Sequence, residues 1–453
     1  MICGLVHIFD EDYMFRLEGK ELRAEAISNI GKNYIIPSWF EKRPSFDGEY
    51  LFGINQITGK KIVFKTAPGE AGFRNTELII RIQYYLELSS DDKISRIALK
   101  ADELNYIYNV SNAIEAYSFG EEGTTSCKTK TFEETTSDKE HFICCGKPVD
   151  VLFTIYRGIQ FNSCTPITLS SSIVFEFEET EDYDFIFRVV GVAKLFISYL
   201  CYRRNVHISE IILQSLCEDG KYQNIGTMYH PTWQDKDPED TKIISKKYIA
   251  FEGIKGHVGE ILQDLEDGVL YTRHLPEDYK DSKRLDHPKF IMVTAAVEWI
   301  AKGLYPDGIE HSKKTEKAIE QVGKELDEKI ESTSGKVKDQ YKFLRNVLGS
   351  DSLSVRINQI CKDYEELITP FGKYLYGINN ELDNFDYPKI SQRIEKQRNN
   401  FAHGNLDKDY DVLATLDIIL FEKVVYILQL AKYGIEKEKI ISEVKRLFGM
   451  NFC

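Results

Sequence analysis

At 453 residues the chain exceeds what one ordinary compact core holds, so two domains are expected. With 42% hydrophobic and 29% charged residues it is neither a disordered nor a fibrous chain. Its 58 Lys and Arg against 72 Asp and Glu leave a net charge of −14, which repels nucleic acid and anionic membrane, so any RNA or DNA contact requires a local basic patch.

The opening stretch MICGLVHIFDEDYMF sets acids directly after a short apolar run and has no basic leader, so it does not read as a secretory signal. From Ile2 to about Tyr229 the pattern is short β-rich runs broken by turn residues. In Glu49 to Phe64, for example, Thr58-Gly59 separates two alternating apolar runs, and Ile173 to Phe177 reads IVFEF. These predict hairpins of a mainly antiparallel sheet or barrel. The exception is Phe185 to Arg203, long, apolar and basic at its end, which predicts a buried helix. Ile208 to Leu216 and the turn at Asp219-Gly220 predict a last hairpin.

His230 to Lys242 holds two prolines and a cluster of charges, and beyond it the period turns helical. The expected division is therefore a mainly β domain over residues 1–241 and an all-α domain, a helical bundle, over 242–453. Predicted helices cover His257 to Asp267, Pro288 to Leu304, a charged run from Lys313 to Leu348, Ser352 to Ile368, Lys389 to His403, Asp409 to Tyr433 and Ile435 to Phe448. The Lys/Glu-rich part of the charged run reads as a solvated helix face. Asp409 to Tyr433 is apolar nearly all round, which places it in the bundle core or, second, along a dimer seam.

Nine cysteines without a CxxC pair suit a reducing compartment better than a disulfide framework or a zinc ribbon. The longest apolar runs, such as Ile418 to Phe421, are broken by charges well short of a membrane span. The expectation is a soluble cytoplasmic protein. Cys144-Cys145-Gly146-Lys147 lacks the earlier glycine of a phosphate loop, and neither HExxH nor GxSxG occurs.

The chemistry concentrates in Lys389 to Asn405, KISQRIEKQRNNFAHGN. Ile390, Ile394 and Phe401 are spaced for one buried helix face, and Gly404 is placed to stop the helix. Asn399 and His403, four apart, share a face with Arg398 beside them. Unpaired carbonyls of the last turn favour positive charge, which suits His403 to acid–base work. Lys389, Arg393, Lys396 and Arg398 against Glu395 supply the basic patch that the global charge demands. Such a set permits metal-free RNA cleavage. His403 takes a proton from a ribose 2′-OH, Arg398 holds the scissile phosphate, and Asn399 orients the imidazole or a phosphate oxygen. One His does not readily serve as base and acid together, so the mechanism predicts a homodimer with a composite cleft.

Arg398-Asn399-Asn400-Phe401-Ala402-His403 resembles the RNxxxH form of the Rx4–6H motif of HEPN domains, helical bundles that dimerise and often act as metal-independent ribonucleases. The domain order and Val297-Glu298-Trp299-Ile300 are similar to the ApeA-type subgroup of abortive-infection proteins. The resemblance implies that Arg398, Asn399 and His403 are catalytic, with Glu298 on an earlier helix, Arg393 and Lys396 as supporting candidates. It also implies an anti-phage, toxin-like endoribonuclease without metal or other cofactor. Cellular RNA, tRNA above all, is the implied substrate, and a phage-derived protein is a candidate trigger. The β domain would then sense or restrain. The alternative is a non-catalytic HEPN dimerisation module with a partner-binding β domain.

Overall fold

A computed structural model describes the chain over residues 2–9, 11–27, 45–74, 77–119, 125–159, 162, 164, 167–349, 351–404 and 411–452, and among these residues alternating apolar side chains build the longer of seventeen strands. The strands begin with β1 (Ile2–Ile8), β2 (Glu11–Glu18), β3 (Glu21–Ala26), β4 (Ser45–Phe46), β5 (Tyr50–Asn55) and β6 (Lys61–Thr66). Next come β7 (Gly69–Glu70), β8 (Gly72–Arg74), β9 (Glu77–Leu88), β10 (Ile94–Ala101), β11 (Ile114–Phe119) and β12 (Thr125–Thr129). The last are β13 (Glu140–Cys144), β14 (Lys147–Ile159), β15 (Ile167–Thr180), β16 (Ile208–Leu216) and β17 (Tyr222–Tyr229).

Six of them close into an antiparallel barrel in the order β1-β2-β3-β9-β6-β5 and back to β1. Closure removes exposed strand edges, and the inward residues, among them Val6, Tyr13, Phe15, Leu22, Ile62, Phe64 and Ile80, make one buried core. The β1–β5 seam depends on two glycines. A Cβ on Gly4 would lie 1.9 Å from the Ile54 carbonyl oxygen, and one on Gly53 would lie 2.3 Å from that of Leu5. The twelve-residue β9 leaves the barrel at its far end to pair with β17, and the sheet runs on through β16, β10, β15 and β14 to β13. Thus the barrel and sheet of the expected antiparallel β domain share one long strand.

The predicted buried helix is α2 (Tyr183–Leu200), which follows the short α1 (Leu104–Ile107). Asp182 caps α2 by accepting from the Phe185 N–H, and eleven of its residues are buried. After β17 come α3 (Pro231–Gln234), α4 (Thr241–Ile244), α5 (Phe251–Ile254), α6 (Val258–Glu266) and α7 (Tyr279–Ser282). The compact units divide later than the 241/242 boundary that the period suggests. One holds Met1–Val269 with Pro276–Tyr279, the other Leu270–Leu275 with Lys280–Cys453. Residues 242–269 are helical but bury their apolar faces in the first unit. Phe251 packs on Tyr108 and Phe153, and Glu140 of β13 accepts from the N–H groups of Gly256 and Gly259. A helical period reports local conformation and says nothing of which core receives the helix.

The second unit contains α8 (His287–Leu304), α9 (Lys313–Ser332), α10 (Gly335–Val347), α11 (Leu353–Asp363) and α12 (Glu365–Ile378). It ends with α13 (Tyr387–Ala402), α14 (Val412–Ala431) and α15 (Lys437–Phe448). The charged run from Lys313 is a helical hairpin broken before Gly335, and only Gly323 within it is buried. Its solvated reading holds. Helix α14 packs against α8, α12, α13 and α15 with fifteen buried residues, which makes it the core of the bundle. Among the described residues no helix is long and apolar enough to cross a membrane.

Candidate active site

Helix α13 carries Pro388 in its first turn, where a missing N–H costs nothing. It buries Ile390, Ser391, Ile394, Gln397 and Phe401 against the bundle. The Phe401 ring meets the rings of His287 and Phe290 on α8 edge to face, with centroids at 4.2 and 5.4 Å. With that face pinned, Asn399 and His403 are exposed and Arg398 is half-buried between faces. The helix stops as the sequence predicts. His403 is its C-cap with an N–H bonded to the Asn399 carbonyl at 3.1 Å, and Gly404 follows in the left-handed region at φ 73°. Asn405, the last residue of the motif segment, lies outside the described residues.

Of the predicted set, Glu298 and Asn399 meet Arg398. One guanidinium nitrogen sits 3.2 Å from Glu298 Oε1 on α8, and another donates to Asn399 Oδ1 at 3.3 Å. Side chains here are 35% exposed for Arg398 and 29% for Glu298, so the pair is partly screened by solvent. The backbone N–H of His403 closes the last turn on the Asn399 carbonyl, so the two residues stand one turn apart on the helix.

Arg393 does not belong to that strip. Its Nε and Nη2 donate to the Asp417 carboxylate of α14 at 2.7 and 2.8 Å, and Nη2 also donates to the Tyr376 hydroxyl of α12 at 3.1 Å. Tyr376 in turn donates to Asp417. The Asp417 side chain is 0% exposed. Burial pushes its carboxyl up, against the pull of the Arg393 and Tyr376 hydrogen bonds. The supporting role expected of Arg393 at the cleft is therefore corrected to a structural one: its guanidinium is committed to Asp417 and Tyr376 inside the bundle, whereas that of Arg398 meets Glu298 of α8. Of the other patch cations, Lys396 is exposed and Lys389 lies 3.9 Å from Asp386. The expected basic patch is therefore not one surface, since Lys396 and Arg398, two apart on the helix, do not face each other.

Sequence reasoning missed Asp417, Tyr376 and His287. Asp417 had a signal, a lone acid in an otherwise apolar helix, whereas His287 had none because only packing brings it to the end of α13. Residues 291–439, from α8 into α15, match the family model described as Apea-like HEPN. The chain carries an Apea-like HEPN domain. No curated protein and no solved structure matches the chain. The HEPN domain spans Glu298, Arg393, Lys396, Arg398, Asn399 and His403, and it points to a nuclease-like role in anti-phage defence. Among the described residues the one group with metal-ligand spacing, Cys144, Cys145 and Glu266, stands outside the HEPN domain.

Proposed function

We propose that the HEPN domain is a metal-independent endoribonuclease of an abortive-infection system. The observation that carries this reading is the Arg398–Asn399–His403 strip on the exposed end of α13, where Arg398 meets Glu298 and Asn399. The guanidinium fork suits a scissile phosphate, whose arrival exchanges a carboxylate partner for a phosphate one. His403 removes the 2′-OH proton, and the oxygen attacks phosphorus to leave a 2′,3′-cyclic phosphate and a 5′-hydroxyl end. A second copy of the helix end in a homodimer supplies the acid for the leaving oxygen. Single-stranded loops, those of tRNA first, meet the need of in-line attack for an unstacked nucleotide. The β unit restrains this activity until a phage-derived protein relieves it. The Arg398–Glu298 pair also favours a second reading, in which the strip is neutralised and the helical domain serves dimerisation alone.

The test is cleavage of total cellular RNA by the purified full chain in EDTA, beside Arg398→Ala and His403→Ala, with the new ends mapped. Cleavage that persists in EDTA, leaves cyclic phosphates and falls by about 100-fold or more in each variant is the expected result. Cleavage that EDTA abolishes, or that His403→Ala leaves intact, overturns the mechanism. A wild-type protein inert both alone and in phage-infected extract supports the dimerisation module instead.

A further inference from the structure

The adjacent thiols Cys144 and Cys145 stand at the tip of the β13–β14 hairpin, far from the HEPN motif in sequence. In an extended strand neighbouring side chains point to opposite faces, and two such thiols cannot share one ligand. Here the pairing puts Cys144 opposite Lys147, so Cys145 and Gly146 alone make the turn. Their φ angles are 49° and 76°, the left-handed pair of a two-residue hairpin that Asn-Gly fills best. A cysteine in that conformation costs on the order of 1 kcal/mol relative to an ordinary one. In return its side chain swings back toward that of Cys144.

A third ligand arrives from α6 in the same unit. Glu266 Oε1 accepts from the Cys145 N–H at 3.2 Å and lies 3.9 Å from Cys145 Sγ. One ligand atom from each of Cys144, Cys145 and Glu266 lies within 4.8 Å of the others. The far oxygen, Oε2, accepts from Arg188 Nε of α2 at 2.7 Å, and Arg188 Nη2 donates to the Glu266 carbonyl at 3.1 Å. The carboxylate is thereby locked with Oε1 facing the thiols, as outer-shell partners lock metal ligands.

We propose that Cys144 Sγ, Cys145 Sγ and Glu266 Oε1 form a site for one thiophilic divalent cation of the Zn2+ class, with the fourth tetrahedral position open to water or an incoming ligand. Two thiolates and a carboxylate carry −3, Arg188 carries +1, and a +2 ion brings the cluster to neutrality. Zn–S and Zn–O lengths of about 2.3 and 2.0–2.2 Å place tetrahedral ligands about 3.5–3.8 Å apart. The 4.8 Å envelope therefore closes by about 1 Å, which the exposed Cys145 on its turn can supply. Binding displaces both thiol protons, and the ion ties the hairpin tip to α6 within the N-terminal unit. Spacing along the chain hides the site, because its third ligand comes 121 residues after Cys145.

The reduced full chain is titrated with Zn2+ by calorimetry with proton release, and with Cd2+ by thiolate-to-metal charge-transfer absorption. One tight ion, two protons released and two Cd–S increments are expected. Cys145→Asn, which suits the left-handed turn, and Glu266→Gln, which keeps an oxygen acceptor in place, test the ligands. Affinity should fall by at least about 10-fold in Glu266→Gln, and further in Cys145→Asn. Zn2+ should also shield Cys145 from alkylation in the wild type. Equal uptake by wild type and Cys145→Asn overturns the proposal, as does unshielded alkylation of Cys145, or a Cys144–Cys145 disulfide that persists under reductant.

Discussion

Replacing Asp417 with Ala should be among the most damaging single changes in the helical unit. The carboxylate is 0% exposed and accepts two charge-assisted bonds from the Arg393 fork together with the Tyr376 hydroxyl. Removing it leaves a guanidinium that is only 15% exposed with its carboxylate gone, and breaking a buried pair in this way costs about 3–5 kcal/mol. For a unit of about 180 residues each kcal/mol lowers Tm by roughly 2–4 °C, so the loss should be about 6–20 °C. Tyr376→Phe removes one donor to a charged acceptor and should cost about 1–2 kcal/mol. Exchanging both partners, Arg393→Met with Asp417→Leu, should recover most of the loss, because a well-packed apolar replacement is often neutral or better. Thermal unfolding followed by helical circular dichroism measures all of these. A Tm drop below about 3 °C for Asp417→Ala, or a double variant as unstable as the sum of its singles, would refute the reasoning. Arg398→Ala, on the exposed strip, should leave Tm within about 2 °C of the wild type, which separates loss of cleavage from loss of fold.

Glu298→Gln should free the Arg398 guanidinium and tighten RNA binding by about 2–5-fold, the range of a partly exposed ion pair; weaker binding on a filter assay would show that Glu298 aims the arginine more than it competes for it. His230, 8% exposed, stacks on Trp233 at 3.9 Å and on Phe187, and its imidazole is pushed down to about 4 by burial and then by Lys20 and Lys194. The folded protein resists a proton that the unfolded chain accepts below about 6.5, so stability is full above that pH and is lost as pH falls through 4, by up to about 3 kcal/mol. Urea midpoints of the N-terminal unit across that window should show the loss, and His230→Phe should flatten it. Gly259→Ala should destabilise by about 1–3 kcal/mol despite the better helix propensity of alanine, since its Cβ would lie 2.4 Å from the His141 carbonyl oxygen of β13; a raised Tm would contradict the close docking of α6.

Much of the architecture can be read without coordinates because its signals are local. Two-residue alternation marks Tyr13, Phe15 and Leu17 of β2 as one inward row, and Thr58-Gly59 marks a hairpin turn. The 3.6-residue period likewise puts Ile390, Ile394 and Phe401 inward and so leaves Asn399 and His403 outward. Gly404 ends the helix because a left-handed residue is needed there. The exposed Arg398–Asn399–His403 stretch was therefore legible within one helix, whereas Glu298, which meets Arg398 from α8, came only through the family resemblance.

Tertiary structure decided what depends on partners distant in the chain. Charge counting treats Arg393 and Arg398 as equals, yet one enters the core because Asp417 waits there and the other stays at the surface because Glu298 does. Barrel closure through β6 and β9, the docking of α6 on β13, and the meeting of Cys144 and Cys145 with Glu266 likewise join segments that no local period connects. Sequence determines conformation over one or two turns, where each residue's neighbours are known; which core a segment buries itself in, and which charge it finds, follows only once the whole chain has packed.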